Sequence, residues 1–500
     1  MEIKPEGIIG RCLGWVERAG NKLPHPTSLF IILSVLILLL SWLLSAAGYG
    51  AVHPINGNLV QVNNLISQSG LTQIMEKTVT NFTHFAPVGT VLVAMLGLGI
   101  AEKSGLLASL LRLIVLKTPN SMITPTVVFA GVLSSIAADA GYVVLIPLAG
   151  HLFATAGKNP IAGMAAAFAG VSGGFSANLM VGPIDALLSG ISTEAARLID
   201  HNYEVSILAN YFFMIVSTAL ITGLGTFVTE RVIIPRLPTE QTIDNGHHES
   251  LNFLERKGIR NASIAILVIA VLICFATIPA DGILRNPTTG SLIKSPFISG
   301  IVTLISLTAA LAGIIFGITQ RTFRSDKDIV ESMEQTMAMM AGYIVLMFFA
   351  AQFVSYFSWS NIGLISAIKG SELLKTLALH PAIVLCVFIM MAAGLNLLVG
   401  SASAKWSVMA PIFVPMFLLA GIPADVTQAA YRVGDSTTNI ITPLMPYFGV
   451  VVAFMQRYDK DIGIGSIMAL MLPYSVALLL GWSVLFSAWV ILGIPFGPSS

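Results

Sequence analysis

Charged residues are scarce in this sequence. Asp, Glu, Lys and Arg make up only 10% of the 500 residues, whereas soluble globular proteins carry about 25%. Hydrophobic residues make up 55%, and the mean hydropathy is +0.84. A chain this apolar cannot cover its own surface with polar groups in water, so the composition predicts a polytopic membrane protein. The net charge of +1 provides no basic field for nucleic acid, which we exclude as a partner.

Cysteine and catalytic motifs are also sparse. The three cysteines, Cys12, Cys274 and Cys386, are scattered, so they form neither a disulfide framework nor a metal-ligand spacing. The sequence has no His-Glu-x-x-His pair and no strand-to-helix nucleophile elbow. It therefore predicts a protein that is not an enzyme and that has no cofactor beyond a coupling ion.

Long apolar runs predict the membrane topology, because a spanning helix needs roughly 20 apolar residues. We place nine transmembrane helices near 28–47, 86–101, 161–190, 205–229, 262–280, 297–319, 336–358, 426–455 and 466–492. Two further apolar stretches, 122–157 and 379–421, are each long enough for two crossings and are broken by small and polar residues. We predict that both are re-entrant hairpins, in an all-α fold.

Basic residues predict the orientation. With a cytoplasmic N-terminus, 18 of the 26 Lys and Arg residues lie on the cytoplasmic side, as the positive-inside rule requires. The predicted organisation is a cytoplasmic N-terminal segment (1–27), a first half (28–236), a cytoplasmic charged linker (237–260) and a second half (261–500). The C-terminus is then outside, and membrane lipid surrounds the protein.

The two halves repeat one pattern of residues. Each hairpin combines small hydroxyl residues with a charge, namely Ser134 and Asp139 in the first hairpin and Ser401, Ser403 and Lys405 in the second. In the helix that follows each hairpin, a hydroxyl residue stands two places before an asparagine, and a proline comes soon after. The distribution of Lys and Arg predicts that the first hairpin enters the membrane from the cytoplasm and the second from outside. An inverted repeat with broken helices is typical of secondary transporters, which bind their solute near the midplane.

Five charged residues are predicted at membrane depth, where each costs about 2.5–3.5 kcal/mol. They are Asp139, Asp185, Lys405, Arg432 and Asp435. Arg432 offers a planar fork for the carboxylate of an anionic substrate. In an alternative interpretation, Asp435 and Arg432 pair along one helix face and only hold the bundle together. That alternative leaves Asp139 and Asp185 without an obvious cationic partner.

Oxygen-bearing side chains predict a sodium site in the second half, because sodium prefers hard oxygen ligands. The candidates there are Asn396, Ser401, Ser403, Asp435 and Asn439, with backbone carbonyls at Gly400. A matching set in the first half comprises Ser134, Asp139, Gly174, Ser176, Asn178 and Asp185. Alternatively, one aspartate carries a proton, because burial favours the neutral form of a carboxyl group. Trp406 offers a flat face to an aromatic ring, or else simply packs in the core.

Several motifs resemble the p-aminobenzoyl-glutamate (AbgT) transporter family over nearly the whole chain. They include Gly-Asn-Lys-Leu-Pro-His-Pro at 20–26, Ala-Phe-Ala-Gly-Val-Ser-Gly-Gly at 167–174 and Gln-Ala-Ala-Tyr-Arg at 428–432. The resemblance implies a bacterial inner-membrane homodimer that handles p-aminobenzoyl-glutamate, in a family where some members resemble exporters of sulfonamide antimetabolites. It implies substrate-binding roles for Asp185, Ser403, Trp406, Arg432 and Pro443, and sodium-binding roles for Asn396, Gly400 and Asp435.

Other functions stay open from the sequence. Lys405 adds a cation beside Trp406 that would attract a second carboxylate. One alternative is a sodium-coupled importer of another small carboxylate or dicarboxylate. Another is a channel, although a channel needs rings of charges or carbonyls around a pore, and the inverted repeat favours a carrier. The sequence does not specify the direction of transport.

Overall fold

Helices make up most of the chain that the structure describes. The computed structural model describes residues 24–498 apart from 53, 55–56, 117, 137–140, 238–250, 280, 293–294 and 446. Asp139, most of the predicted N-terminal segment and much of the predicted linker lie outside the described residues.

The described residues form twenty α-helices. In the first half they are α1 (Pro26–Ala46), α2 (Gln68–Thr83), α3 (Ala86–Lys103), α4 (Leu106–Leu116), α5 (Ile123–Leu133), α6 (Ile146–Thr155), α7 (Pro160–Phe168), α8 (Pro183–Ala196) and α9 (Tyr211–Val228). In the second half they are α10 (Phe253–Thr277), α11 (Pro296–Ser299), α12 (Ile301–Gln320), α13 (Asp326–Met339), α14 (Ala341–Trp359), α15 (Ile362–Leu377), α16 (Pro381–Asn396), α17 (Ala402–Leu419), α18 (Ala424–Thr437), α19 (Phe448–Met455) and α20 (Ile464–Ile491).

Eight of these helical segments are long and apolar enough to cross a membrane, within the part of the chain described. Seven of them coincide with the unbroken spans that the sequence predicts. The eighth, α17, is the second arm of the predicted hairpin 379–421. The remaining two predicted spans are the broken helices α7–α8 and α18–α19. The prediction of an all-α polytopic membrane protein is therefore confirmed, with one small exception.

The exception is a two-stranded antiparallel ribbon of β1 (Gly50–Val52) and β2 (Leu59–Gln61). The backbone N–H of Asn63, just after β2, donates to Ser360 O at 3.0 Å. The side-chain amide of Asn361 donates to Gln61 O at 2.9 Å. The ribbon is thereby attached to the end of α14.

Two helices begin with the same His-Pro pair, one at the start of α1 and one at the start of the second hairpin. In each pair the histidine side chain accepts a backbone hydrogen bond two residues on, at 3.3 Å for His25 and 3.2 Å for His380. Pro26 and Pro381 occupy the first helical position, where the missing N–H costs nothing and the fixed φ favours the helix.

The broken helices are interrupted by different local structures. After α7 the chain makes a π-helical turn (Ala169–Gly173) and is then irregular until Pro183 starts α8. After α18 the chain makes a 3-10 turn (Asn439–Ile441), and Pro443 follows before α19 begins. Because proline lacks a backbone N–H, Pro443 cannot lie inside a continuous helix there.

The order of elements repeats between the halves. A long helix, a short helix, a hairpin, a broken helix and a second long helix follow one another from α3 to α9 and again from α14 to α20. One hydrogen-bonded pair of positions is also repeated at the same spacing, with the direction of donation reversed. Asn178 donates to Ser135 Oγ at 2.7 Å and Asn396 donates to Asn439 Oδ1 at 2.9 Å, and each pair is separated by 43 residues. This spacing aligns Ser135 with Asn396 and Asn178 with Asn439.

Close packing joins the second hairpin to the second broken helix. A Cβ atom added to Gly434 on α18 would lie 2.5 Å from Ile389 O on α16. Only glycine allows the two backbones to approach this closely. The contact fixes the position of Asp435, the next residue, against the end of α16.

Candidate functional site

The two broken helices meet where each is interrupted. The backbone N–H of Ser176 donates to Ser436 Oγ at 3.1 Å, and the side chain of Asn439 donates to Ser172 O at 3.4 Å. Backbone groups freed from helical pairing need such partners, because water is absent from the bilayer core. The two halves of the chain therefore come together at this crossing.

Four charged side chains lie buried around the crossing. Asp185, Lys405, Arg432 and Asp435 are between 1% and 4% exposed. The other charged residues that are buried in the described chain, Glu255 and Asp425, are each 8% exposed. The sequence assigns five charges to membrane depth, and Asp139 lies outside the described residues. The structure places the other four together.

Arg432 forms an ion pair with Asp185 across the two halves. Arg432 Nη2 lies 2.6 Å from Asp185 Oδ1 and also donates to Ser176 O at 3.2 Å. Asp185 Oδ2 accepts from the backbone N–H of Gly182 at 2.7 Å, at the start of α8, where the helix dipole stabilises a carboxylate. The alternative interpretation that pairs Arg432 with Asp435 is wrong, and Asp185 has the cationic partner that the sequence did not reveal.

Asp435 pairs instead with Lys405. The Lys405 Nζ atom lies 2.5 Å from Asp435 Oδ1 and also donates to Asn396 Oδ1. The Asn396 amide nitrogen donates to Asp435 O at 2.6 Å and to Thr438 Oγ1 and Asn439 Oδ1, both at 2.9 Å. This cluster connects α16, α17 and α18.

The donor set of the cluster suits a monovalent cation. The side-chain oxygens of Asn396 and Asp435, both predicted sodium ligands, converge on a single positive atom, the ammonium nitrogen of Lys405. Gly400 lies in the break between α16 and α17, where an added Cβ would lie 2.7 Å from Leu444 O. The backbone at Gly400 is therefore packed against the stretch that contains Pro443. Hard oxygens around a small positive centre are the coordination that sodium prefers.

Ser401 and Ser403 lie at the start of α17. Ser401 Oγ accepts from Ala404 N at 3.3 Å, which caps the helix, and lies 3.1 Å from Ser403 Oγ. These hydroxyls stabilise the helix end. Within the described part of the chain, neither hydroxyl hydrogen-bonds to Asp435.

Trp406 is fully buried against the first half. Its indole stacks on Tyr431, with ring centroids 4.4 Å apart and planes at 27°. Its N–H donates to Ser192 Oγ at 3.0 Å and Leu188 O at 3.2 Å. In this conformation Trp406 packs in the core, and one of its faces is covered by Tyr431.

Tyr431 is a site residue to which the sequence reasoning assigned no role. Its hydroxyl donates to Ala402 O at 2.6 Å and to Asp435 Oδ1 at 3.2 Å. The signal was available, because residues four apart on a helix share a face. Tyr431 therefore contacts both the ion pair of Asp435 and the ring of Trp406.

The predicted first-half set is only partly brought to the crossing. Ser176 and Asp185 contact residues of the second half, as described above. Ser134 donates to Gly131 O at 2.7 Å, Asn178 donates to Ser135, and the N–H of Gly174 binds carbonyls of the π turn. The hydrogen bonds of these three residues therefore lie within the first half, as far as the structure describes it.

Three buried polar atoms at the crossing have no hydrogen-bond partner among the described residues. They are Ser176 Oγ, Arg432 Nε and Asp185 Oδ1, and the last of these contacts Arg432 as an ion pair without the geometry of a hydrogen bond. An unsatisfied buried polar group costs about 1–3 kcal/mol. Ser176 and Arg432 are in contact through Ser176 O, so both of their unused groups belong to residues that already touch.

A cavity of about 620 Å³ lies away from the crossing. Its lining includes Pro381, Asp425 and Trp489 at the base of the second hairpin, but none of the predicted substrate or sodium residues.

Known proteins resemble this chain over nearly its full length. The AbgT transporter family matches residues 11–500. The p-aminobenzoyl-glutamate transport protein of Escherichia coli (strain K12) is 38% identical over 489 residues, which cover 98% of this chain and 96% of that relative.

Two solved structures share the fold. The YdaH transporter of Alcanivorax borkumensis, whose topology is described as unusual, superposes with a TM-score of 0.92 and 48% identity, over 95% of this chain and 100% of that one. MtrF of Neisseria gonorrhoeae, described within a class of antimetabolite efflux pumps, superposes with a TM-score of 0.93 and 46% identity, over 98% of this chain and 99% of that one. This chain is a multi-pass membrane transporter that belongs to the AbgT family.

Proposed function

We propose that this protein is an ion-coupled secondary transporter of p-aminobenzoyl-glutamate and related p-aminobenzoate-type compounds, including sulfonamide antimetabolites as exported solutes. The Escherichia coli relative is a p-aminobenzoyl-glutamate transport protein, which supports this substrate. MtrF belongs to a class of antimetabolite efflux pumps, which supports the export of antimetabolites. The repeated order of hairpin and broken helix supports a carrier over a channel.

The ion pair between Arg432 and Asp185 carries this proposal. It joins the two halves at 2.6 Å, and the unpartnered Arg432 Nε and Ser176 Oγ lie beside it. A substrate carboxylate would bind the free edge of the guanidinium and accept from Ser176 Oγ. Asp185 neutralises Arg432 when no substrate is bound, which makes a buried cation tolerable.

Sodium is the coupling ion in this proposal. Asn396 and Asp435 supply side-chain oxygens that already surround a positive atom, and Gly400 supplies backbone at the helix break. When bound, the ion would add a positive charge near the substrate site. Coupling to protons is the competing outcome, and imposed gradients separate the two.

We also propose that the protein works as a homodimer in a bacterial inner membrane, with its N-terminus in the cytoplasm. The distribution of Lys and Arg supports the orientation, because 18 of 26 lie on that side.

Transport in proteoliposomes tests the proposal. We expect saturable uptake and counterflow of labelled p-aminobenzoyl-glutamate, driven by a sodium gradient and not by a proton gradient alone. Arg432→Ala should abolish both activities. Arg197→Ala, which breaks a 3.0 Å pair with Glu194 outside the site, should leave them unchanged.

Other results would contradict parts of the proposal. Unsaturable flux without counterflow would indicate a channel. Full competition by a simple dicarboxylate, with no transport of the labelled compound, would favour the importer of another carboxylate.

A further inference from the structure

The ammonium group of Lys405 contacts the side-chain oxygens of Asn396 and Asp435, the two residues whose side chains are proposed above to bind sodium. We propose that this ammonium group is a tethered competitor, which holds the oxygens of Asn396 and Asp435 when no sodium is bound and is displaced when sodium arrives. This inference rests on the proposed sodium coupling. It adds a named residue whose displacement links ion binding to substrate binding.

The geometry makes the two cations mutually exclusive. Lys405 Nζ lies 2.5 Å from Asp435 Oδ1 and also donates to Asn396 Oδ1. Both oxygens belong to residues proposed to bind sodium. Two positive centres at the same pair of oxygens would repel each other strongly in a site from which water is excluded. Sodium therefore binds there only if the ammonium withdraws.

Lysine is suited to this role by its chemistry. It carries a compact charge on a flexible four-carbon stem with three rotatable donors. Arg432 is different, because its rigid fork is held by Asp185 and Ser176 O at 2.6 and 3.2 Å. Lys405 also neutralises Asp435 in the ion-free protein, so no bare carboxylate is left at membrane depth.

Displacement leaves the ammonium without an anionic partner. The glutamate moiety of the proposed substrate has two carboxylates, of which Arg432 can bind one. The released Lys405 can bind the other. Sodium and substrate then each strengthen the binding of the other by the same factor, since the coupling of two ligands is reciprocal.

Equilibrium binding of ²²Na⁺ to the purified full-length protein tests the inference. Lys405→Met and Lys405→Gln should lower the Kd for sodium by about tenfold, which corresponds to 1.4 kcal/mol. Lys158→Met is the matched control, because Lys158 also pairs with a carboxylate, Glu230, at 2.5 Å, and it should leave the Kd unchanged. An unchanged or raised Kd in the Lys405 variants would overturn the competitor role.

Asp435→Asn separates this inference from the proposed function. It should abolish sodium binding. If it does so while the Lys405 variants bind sodium as the wild type does, only the competitor role is wrong. If Asp435→Asn binds sodium normally, the proposed sodium site itself is wrong.

A measurement on the wild-type protein covers the case in which the Lys405 variants do not fold. Acetic anhydride labelling with mass spectrometry should show at least about tenfold faster acetylation of Lys405 in sodium than in choline, because displacement frees the amine. Acetylation of Lys158 should be equal in both. Equal acetylation of Lys405 in the two salts would refute the displacement.

Discussion

Arg432 Nη2 and Asp185 Oδ1 lie 2.6 Å apart and join the second half of the chain to the first. Both side chains are 2% exposed. A buried pair of this kind is costly to assemble but much costlier to break, because removing one partner strands the other charge. The pair therefore affects both the stability of the protein and the binding of an anionic solute.

Arg432→Ala should lower the free energy of unfolding by about 3–5 kcal/mol, because Asp185 loses its partner. Arg432→Lys should recover part of the stability but not transport, since an ammonium lacks the fork. Thermal melting in detergent, alongside the transport assay, measures both effects. Arg197→Ala is the control, because partly exposed pairs contribute about 0–1 kcal/mol. A wild-type melting curve for Arg432→Ala would contradict the stabilising role of the pair.

Trp406→Ala should destabilise the protein by about 3–5 kcal/mol, the usual cost of truncating a large buried aromatic residue. Trp406→Phe should retain stacking on Tyr431 but lose the hydrogen bonds to Ser192 and Leu188, at about 1 kcal/mol each. A double-mutant cycle with Ser192→Ala measures the coupling of the first bond. Strictly additive effects of the two substitutions would show that this bond contributes nothing.

Gly434→Ala should destabilise the protein by about 1–3 kcal/mol through overpacking, because the new Cβ would lie 2.5 Å from Ile389 O. Gly223→Ala is the matched control in α9. No atom lies within 4 Å of a Cβ added there, so that substitution should be neutral or stabilising by about 0.4–1 kcal/mol. Equal melting temperatures for the two variants would show that α16 and α18 are not in tight contact.

Asp328 should make the stability of α13 depend on pH. Hydrogen bonds from the backbone N–H groups of Arg324 and Ser325 lower the pKa of the Asp328 carboxyl. The stabilisation is therefore complete above the usual aspartate pKa, and it is lost as the pH falls through the lowered value. Asp328→Asn should remove this dependence from melting curves recorded between about pH 6 and pH 3. If the melting temperature of the variant depended on pH as that of the wild type does, Asp328 would not be the cause of the dependence.

Much of the fold can be predicted from the sequence, because hydrocarbon imposes simple rules. Runs of about 20 apolar residues identify the unbroken spans. The broken helices are identified by clusters of small residues, hydroxyls and proline, as in the stretch around Asn178 and Pro183. The ribbon of β1 and β2 was missed, because strands of three residues are too short to show an alternating pattern.

The candidate site is predictable as a set of residues but not as a set of partners. The cost of charge in lipid singles out Asp185, Lys405, Arg432 and Asp435. Which of them pair depends on how distant segments meet, and helical spacing alone suggested Arg432 with Asp435. The roles in substrate and sodium binding stay predictions until binding and transport are measured.

The four side chains at the crossing of the broken helices form two pairs, each electrically neutral. Driving one elementary charge through a membrane potential of 100 mV involves about 2.3 kcal/mol. In the ion-free protein, a rearrangement that moves these helices with both pairs intact displaces no net charge among the four. Voltage then does no work on these side chains, so they make the return of the empty transporter insensitive to the membrane potential.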